Sequence, residues 1–238
     1  MEIATIPLAN LAVAFAPVLL VLIILIKWSM PTRRSLHALV RMLVQLLLVG
    51  YVLTYIFESN SAWIIGILLV MMILISSWIA LNNIEQPKGV MFKKACIAIL
   101  LSGGFILGVI TQGVLTLSPW YQAQTLIPLA GMVFTNCMNS VSLSGERFFA
   151  ESERKEDYTR ARNIAFKASM IPNINALFAV GIVSLPGMMT GQILAGVSPF
   201  IAARYQIMVM CMIFASAGLA SAIFLMLNKP KPTNLRGR

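Results

Sequence analysis

The sequence predicts an all-α, polytopic membrane protein of about seven transmembrane helices, with its N-terminus outside and its C-terminus in the cytoplasm. Composition, the block spacing of apolar residues and the placement of lysine and arginine predict it. Of 238 residues, 59% are hydrophobic and 11% charged, with a mean hydropathy of +0.86. A soluble domain carries about 25% charged residues. Too few polar side chains remain to cover a water-facing surface, so lipid must solvate much of the exterior. A bilayer core of roughly 30 Å takes about 20 apolar residues as a helix. Seven blocks qualify, at 6–26, 38–57, 62–81, 95–115, 126–145, 172–194 and 205–227.

The first block reads as a span rather than a cleavable signal: no basic stretch precedes it, and its apolar run, Ile6 to Ile26, is too long for a signal core. Connections are short apart from 146–171, so 1–238 reads as a single transmembrane domain.

Basic residues set the orientation. Lys27, Arg33, Arg34 and Arg41 fall around the first connection, and Lys88, Lys93 and Lys94 in the third. Arg147, Arg154, Lys155, Arg160, Arg162 and Lys167 fall in the fifth, and Lys229, Lys231, Arg236 and Arg238 in the tail. The intervening connections hold only Arg204, so 17 of the 18 basic residues share one side. The positive-inside rule makes that side cytoplasmic. The net charge of +10 is therefore a topology signal, with attraction to anionic lipid, and no argument for nucleic acid. Trp28, Trp63, Trp78 and Trp120 lie near span ends, where aromatic anchors belong.

Several chemistries are excluded. No GxxxxGK[ST] phosphate loop and no HExxH motif occurs. The single histidine, His37, makes neither a triad nor a metal site, and the last span has no lysine for a retinal Schiff base. Cys96, Cys137 and Cys211 sit in apolar blocks without CxxC spacing and read as small buried hydrophobes. Transport or a structural role remains.

The fifth and sixth spans carry the costly features. Asn136 and Asn139 lie at i and i+3 on one helix face, with Ser140 and Ser144 on an adjoining stripe. Amides in hydrocarbon need partners, so this face turns inward, either to bond a packed neighbour or to wall a polar pathway. Asn173 and Asn175 open the sixth span. Pro186 removes a donor in mid-membrane and should kink or break it. Gly187 and Gly191 form a GxxxG that permits close backbone approach, and Thr190 and Gln192 add polar groups beside the break. Such breaks are tolerated only within protein or along a wet cavity, and they mark binding sites in transporters. A packing kink is the plainer alternative. Among 15 methionines, Met188 and Met189 are the pair best placed for a soft metal, although adjacent helical residues diverge and adaptable packing explains most of the rest. No hard-metal site is expected, since no carboxylate lies deep in a span. The charged stretch 146–171 has aromatic residues at Phe148, Phe149 and Phe166 and reads as a short helix docking a soluble partner.

Between Gly181 and Met210 the stretch GIVSLPGMMTGQILAGVSPFIAARYQIMVM resembles the FetB family of bacterial ABC-transporter permeases. IPLAGMVFTNCMNSVSL, MIPNIN, and Arg41 with Gln45 before LLLVGYVL carry the same resemblance, which covers essentially the whole chain. The family is linked to iron export, and related plant membrane subunits to aluminium tolerance. The resemblance implies a permease of the bacterial cytoplasmic membrane, not itself an enzyme. ATP would be bound by a separate cytoplasmic ATPase subunit and no cofactor by this chain, which would pair as a homodimer. The costly features of the fifth and sixth spans place the pathway at Asn136, Asn139, Asn173, Asn175 and 186–192, and the charged, aromatic stretch places coupling at Glu151, Arg154, Tyr158 and Arg162. The alternative is a gradient-driven secondary transporter or channel without an ATPase. One departure is visible: the family's segment after the fifth span is longer, with a stretch like E-x-x-x-A-L-A-L-G-A, whereas KEDYTRARNIAFKASMIPNIN here runs directly.

Overall fold

Backbone polar groups in lipid must be satisfied within the segment, and the apolar blocks accordingly fold as helices. The computed structural model describes residues 7–58 and 61–230; the start of the first expected span and the tail cations Lys231, Arg236 and Arg238 lie outside them. The α-helices are α1 (Leu8–Val13), α2 (Phe15–Lys27), α3 (Thr32–Glu58), α4 (Ala62–Ala80), α5 (Lys88–Gly108), α6 (Ala123–Glu153), α7 (Tyr158–Ala179), α8 (Gly187–Leu194) and α9 (Pro199–Leu227). A 3₁₀ turn, Leu81–Asn83, follows α4, and a π-helical turn, Val109–Val114, follows α5. No strand occurs among the described residues.

The contacts divide the chain into two units, residues 1–59 and 60–238. In the first, α2 and α3 pack as a hairpin. Its turn is closed by the Met30 amide on the Leu25 carbonyl at 2.9 Å, with Ser29 in the left-handed region at φ 55°. Pro17 falls in the first turn of α2, where its missing donor costs nothing. At i and i+4 on α3, the polar pair Arg41 and Gln45 should face protein, because a charge near the bilayer centre is costly, but α3 leaves both exposed. They satisfy each other instead: with the Gln45 amide turned towards the guanidinium, its oxygen accepts from Arg41 Nε at 3.1 Å.

In the second unit α6 is the hub, packed against α4, α5, α7 and α9. Small residues let the helices approach. A Cβ on Gly103 of α5 would lie 2.8 Å from the ring of Phe134 on α6. Ser140 donates to the Ala217 carbonyl at 2.8 Å, and Ser221 bonds the Ser140 carbonyl at 3.1 Å and the Ser169 hydroxyl at 3.0 Å. Ser140 and Ser144 therefore belong to the dry core, where hydroxyls hold α6, α7 and α9 together.

Six helical segments among the described residues are long and apolar enough to cross a membrane: Ala9–Lys27, Thr32–Phe57, Ala62–Asn83, Lys88–Val114, Ala123–Glu153 and Pro199–Leu227. The expected sixth span, 172–194, is not one helix. α7 begins at Tyr158, ends at Ala179, and is separated from α8 by the irregular residues 180–186. Gly181 at φ 83° and the restriction Pro186 places on Leu185 stop the helix there. With only 8 residues, α8 rises roughly 12 Å, well short of a bilayer. The 146–171 connection is likewise not a separate element. α6 runs on to Glu153, a four-residue turn follows, and the Asp157 carboxylate caps α7 by accepting from the Thr159 and Arg160 amides.

Candidate translocation site

α8 lies against α9 and stands between two cavities. Met188 and Met189 are about 100° apart on the helix, and they face different ones. Met188 lines a cavity of about 750 Å³ with Met132 of α6, Met208 and Tyr205 of α9, Gln122, and Gln192 of α8 itself. Met189 lines a smaller cavity of about 340 Å³ with Gln206, Met210 and Cys211. Each wall holds a glutamine whose Oε1 is buried without a hydrogen-bond partner, Gln192 in the larger and Gln206 in the smaller. An acceptor left unmatched in this way costs about 1–3 kcal/mol, so two of them on either side of one short helix call for a donor or a cation.

The break before α8 is locally satisfied. The Gly181 amide bonds the Ser184 carbonyl at 2.9 Å, and the Thr190 hydroxyl bonds the Pro186 carbonyl at 3.2 Å. Thr190 thus repairs the break. Pro186 lies in the extended region immediately before α8, so it starts the helix and does not kink one. A Cβ on Gly187 or Gly191 would meet nothing within 4 Å, so the GxxxG makes no close approach within this chain.

The expected polar face of α6 divides. Asn136 is satisfied on its own helix, its Nδ2 donating to the Met132 carbonyl at 2.8 Å. Asn139 is exposed to a separate cavity of about 500 Å³, shared with Asn83, Ser142 and Glu146. Asn173 is half-buried and Asn175 exposed on the last turns of α7, and neither lines the cavities beside α8. Of the sequence-predicted residues, the larger cavity therefore gathers only Met188 and Gln192.

Sequence reasoning missed Met132, Met208, Gln122, Gln124, Thr125 and Tyr205, which come from two other parts of the chain, α6 with its N-cap and α9. The polar run Gln122 to Thr125 beside Pro128 was the available signal. It also missed Glu146, the first residue of the charged stretch, which α6 carries on the face of Asn139 one pair of turns later.

At the far end of α6, Glu151 is 4% exposed and accepts from Arg147 at 2.7 Å and Arg154 at 3.3 Å. Tyr158 packs on Phe148, and its hydroxyl donates to the Leu225 carbonyl at 3.1 Å. Tyr158 thus fastens the α6–α7 corner to α9, while Glu151 is held by the arginines at its own end of α6. Arg154 is exposed, and Arg162 lies over the Tyr158 ring at 5.7 Å, half-buried.

Residues 8–162 and 152–231 match the family described as "Uncharacterised protein family (UPF0014)". The chain belongs to this family. The two matched stretches overlap around the α6–α7 connection. "UPF0014 membrane protein slr1647" of Synechocystis sp. (strain ATCC 27184 / PCC 6803 / Kazusa) is 33% identical over 76% of this chain and 76% of its own length. "Probable iron export permease protein FetB" of Escherichia coli (strain K12) is 33% identical over 96% of this chain and 94% of that protein. "Protein ALUMINUM SENSITIVE 3" of Arabidopsis thaliana is 26% identical over 78% of this chain and 72% of its own. No solved structure matches. The chain is a multi-pass membrane protein of this family.

Proposed function

We propose that this chain is the membrane subunit of an ABC transporter that exports iron or another metal ion from the bacterial cytoplasm, powered by a separate ATPase. The observation that carries this reading is the 33% identity, along almost the full length of both chains, to a protein named as a probable iron export permease. The basic residues support a cytoplasmic C-terminus, with the end of α7 and α8 together completing a seventh, broken crossing. Two-fold pairing of two such chains would match a pair of ATPase subunits.

The architecture supports a mechanical role for α6. Its 31 residues span roughly 46 Å, joining the cavity at Met132 to that at Asn139 and to the corner at Glu151. An ATPase engaging the corner would move α6 as a rod, and the hydroxyl contacts of Ser140 and Ser221 would carry α9 with it. Opening and closing of the cavity between α6, α8 and α9 then follows from the motion of its walls. Arg154 and Arg160, with side chains 67% and 68% exposed and each paired with a glutamate, give the corner a charged tip for a partner surface.

A photo-crosslinker placed at Arg154 or Arg162 in the membrane-bound complex is expected to capture the ATPase. Intact complexes that yield no adduct from either position would overturn coupling through this corner.

A further inference from the structure

We infer that the cavity between α6, α8 and α9 binds a soft, thiophilic monovalent cation such as Cu(I) or Ag(I), held by the thioethers of Met132, Met188 and Met208 beside the Gln192 carbonyl oxygen. The inference rests on reading this cavity as part of the translocation route, and it names the class of ion that the route takes. Three methionines from three helices meet on one cavity. Thioether sulfur is a soft ligand that needs no deprotonation, and it selects Cu(I)-like ions over hard ones. Gln192 contributes an acceptor, buried and without a donor, that a cation would satisfy.

The remainder of the lining points the same way. It contains Gln122, Gln124, Thr125 and Tyr205 but no Asp, Glu, His or Cys. A hard divalent ion binds through carboxylates and carbonyls, and nothing here would neutralise its charge. Among the described residues no group of three or more His, Cys, Asp or Glu side chains is placed to hold a metal. A singly charged ion with a weakly held hydration shell suits neutral ligands in a largely apolar wall. Met188 is carried by the short helix after the helix break, while Met132 and Met208 lie on the long helices α6 and α9. A shift of α8 would therefore separate one sulfur from the other two and release the ion.

The test uses the full chain in detergent with ¹³C-methyl-labelled methionine, Ag(I) as a redox-stable probe, and no ATPase. Cys96→Ser and Cys211→Ser remove the thiols that are not fully buried, while Cys137 stays in the core. The methyl signals of Met132, Met188 and Met208 are expected to shift together and saturate, and Fe(II) is expected to leave them unmoved. Exchanging all three methionines for leucine, a swap that conserves volume, should weaken Ag(I) binding by at least about tenfold, and Gln192→Leu should weaken it to a smaller extent. If the triple variant fails to fold, the single exchanges Met188→Leu and Met208→Leu are each expected to lower affinity. Shifts confined to other methionines, or affinity unchanged in the folded variants, would overturn the site. Because no ATPase is present, failure here leaves the transporter reading standing. Saturable binding without any ATP-driven transport would sink that reading and spare the site.

Discussion

Gln192→Leu is expected to lower metal transport by about tenfold, the equivalent of about 1.4 kcal/mol of lost interaction, while leaving the fold as stable as before or more so. The unpartnered Oε1 is the group that leucine removes. A buried acceptor without a donor burdens the fold by about 1–3 kcal/mol, and leucine removes it at similar volume. A glutamine retained only for packing would improve stability without consequence when replaced. One that meets the transported ion would improve stability and lose transport. ATP-driven flux and thermal unfolding, measured on the same preparation, separate the two. Normal flux in the leucine variant would remove Gln192 from the pathway.

The second large effect falls on neighbouring glycines of α5. Gly103→Ala should destabilise the protein by about 1–3 kcal/mol, the usual cost of overpacking. The added methyl would meet the Phe134 ring at 2.8 and 2.9 Å and Val133 at 3.2 Å, and Phe134 is itself 2% exposed with nowhere to retreat. Gly104→Ala should do the reverse, gaining up to about 1 kcal/mol of helix propensity, because its methyl meets nothing within 4 Å. Unfolding in detergent compares the two. Equal stabilities would mean that α5 and α6 do not pack as described.

Much of the fold was legible because lipid leaves the backbone little choice. The block at 62–81 is α4, Ala62–Ala80, almost to the residue, since apolar length and helix length coincide there. Legibility failed where charge and helix part company. Glu146 looks like the end of a span, yet α6 continues to Glu153, stabilised by the Arg147–Glu151 pair one turn apart. The helix break was signalled by Pro186 but begins at Val180, because glycine and the residue before proline stop the helix earlier. On α6 the amides of Asn136 and Asn139, with Ser140 on the adjoining stripe, showed that polar groups must find partners. They did not show that Ser140 would bond α9 while Asn136 bonds its own backbone. The site was least legible. Met188 and Gln192 stood out beside a broken helix, but convergence with Met132 and Met208 depends on how α6 and α9 pack, which no local spacing encodes.

The central claim is that this chain is a permease driven by a separate ATPase. Proteoliposomes holding the chain and its ATPase, assayed for movement of Fe(II) and other metal ions, test it most directly. The account predicts flux that requires ATP hydrolysis and both proteins, and that disappears when the ATPase is catalytically dead. Equal flux from the chain alone, driven by an ion gradient and indifferent to ATP, would contradict it.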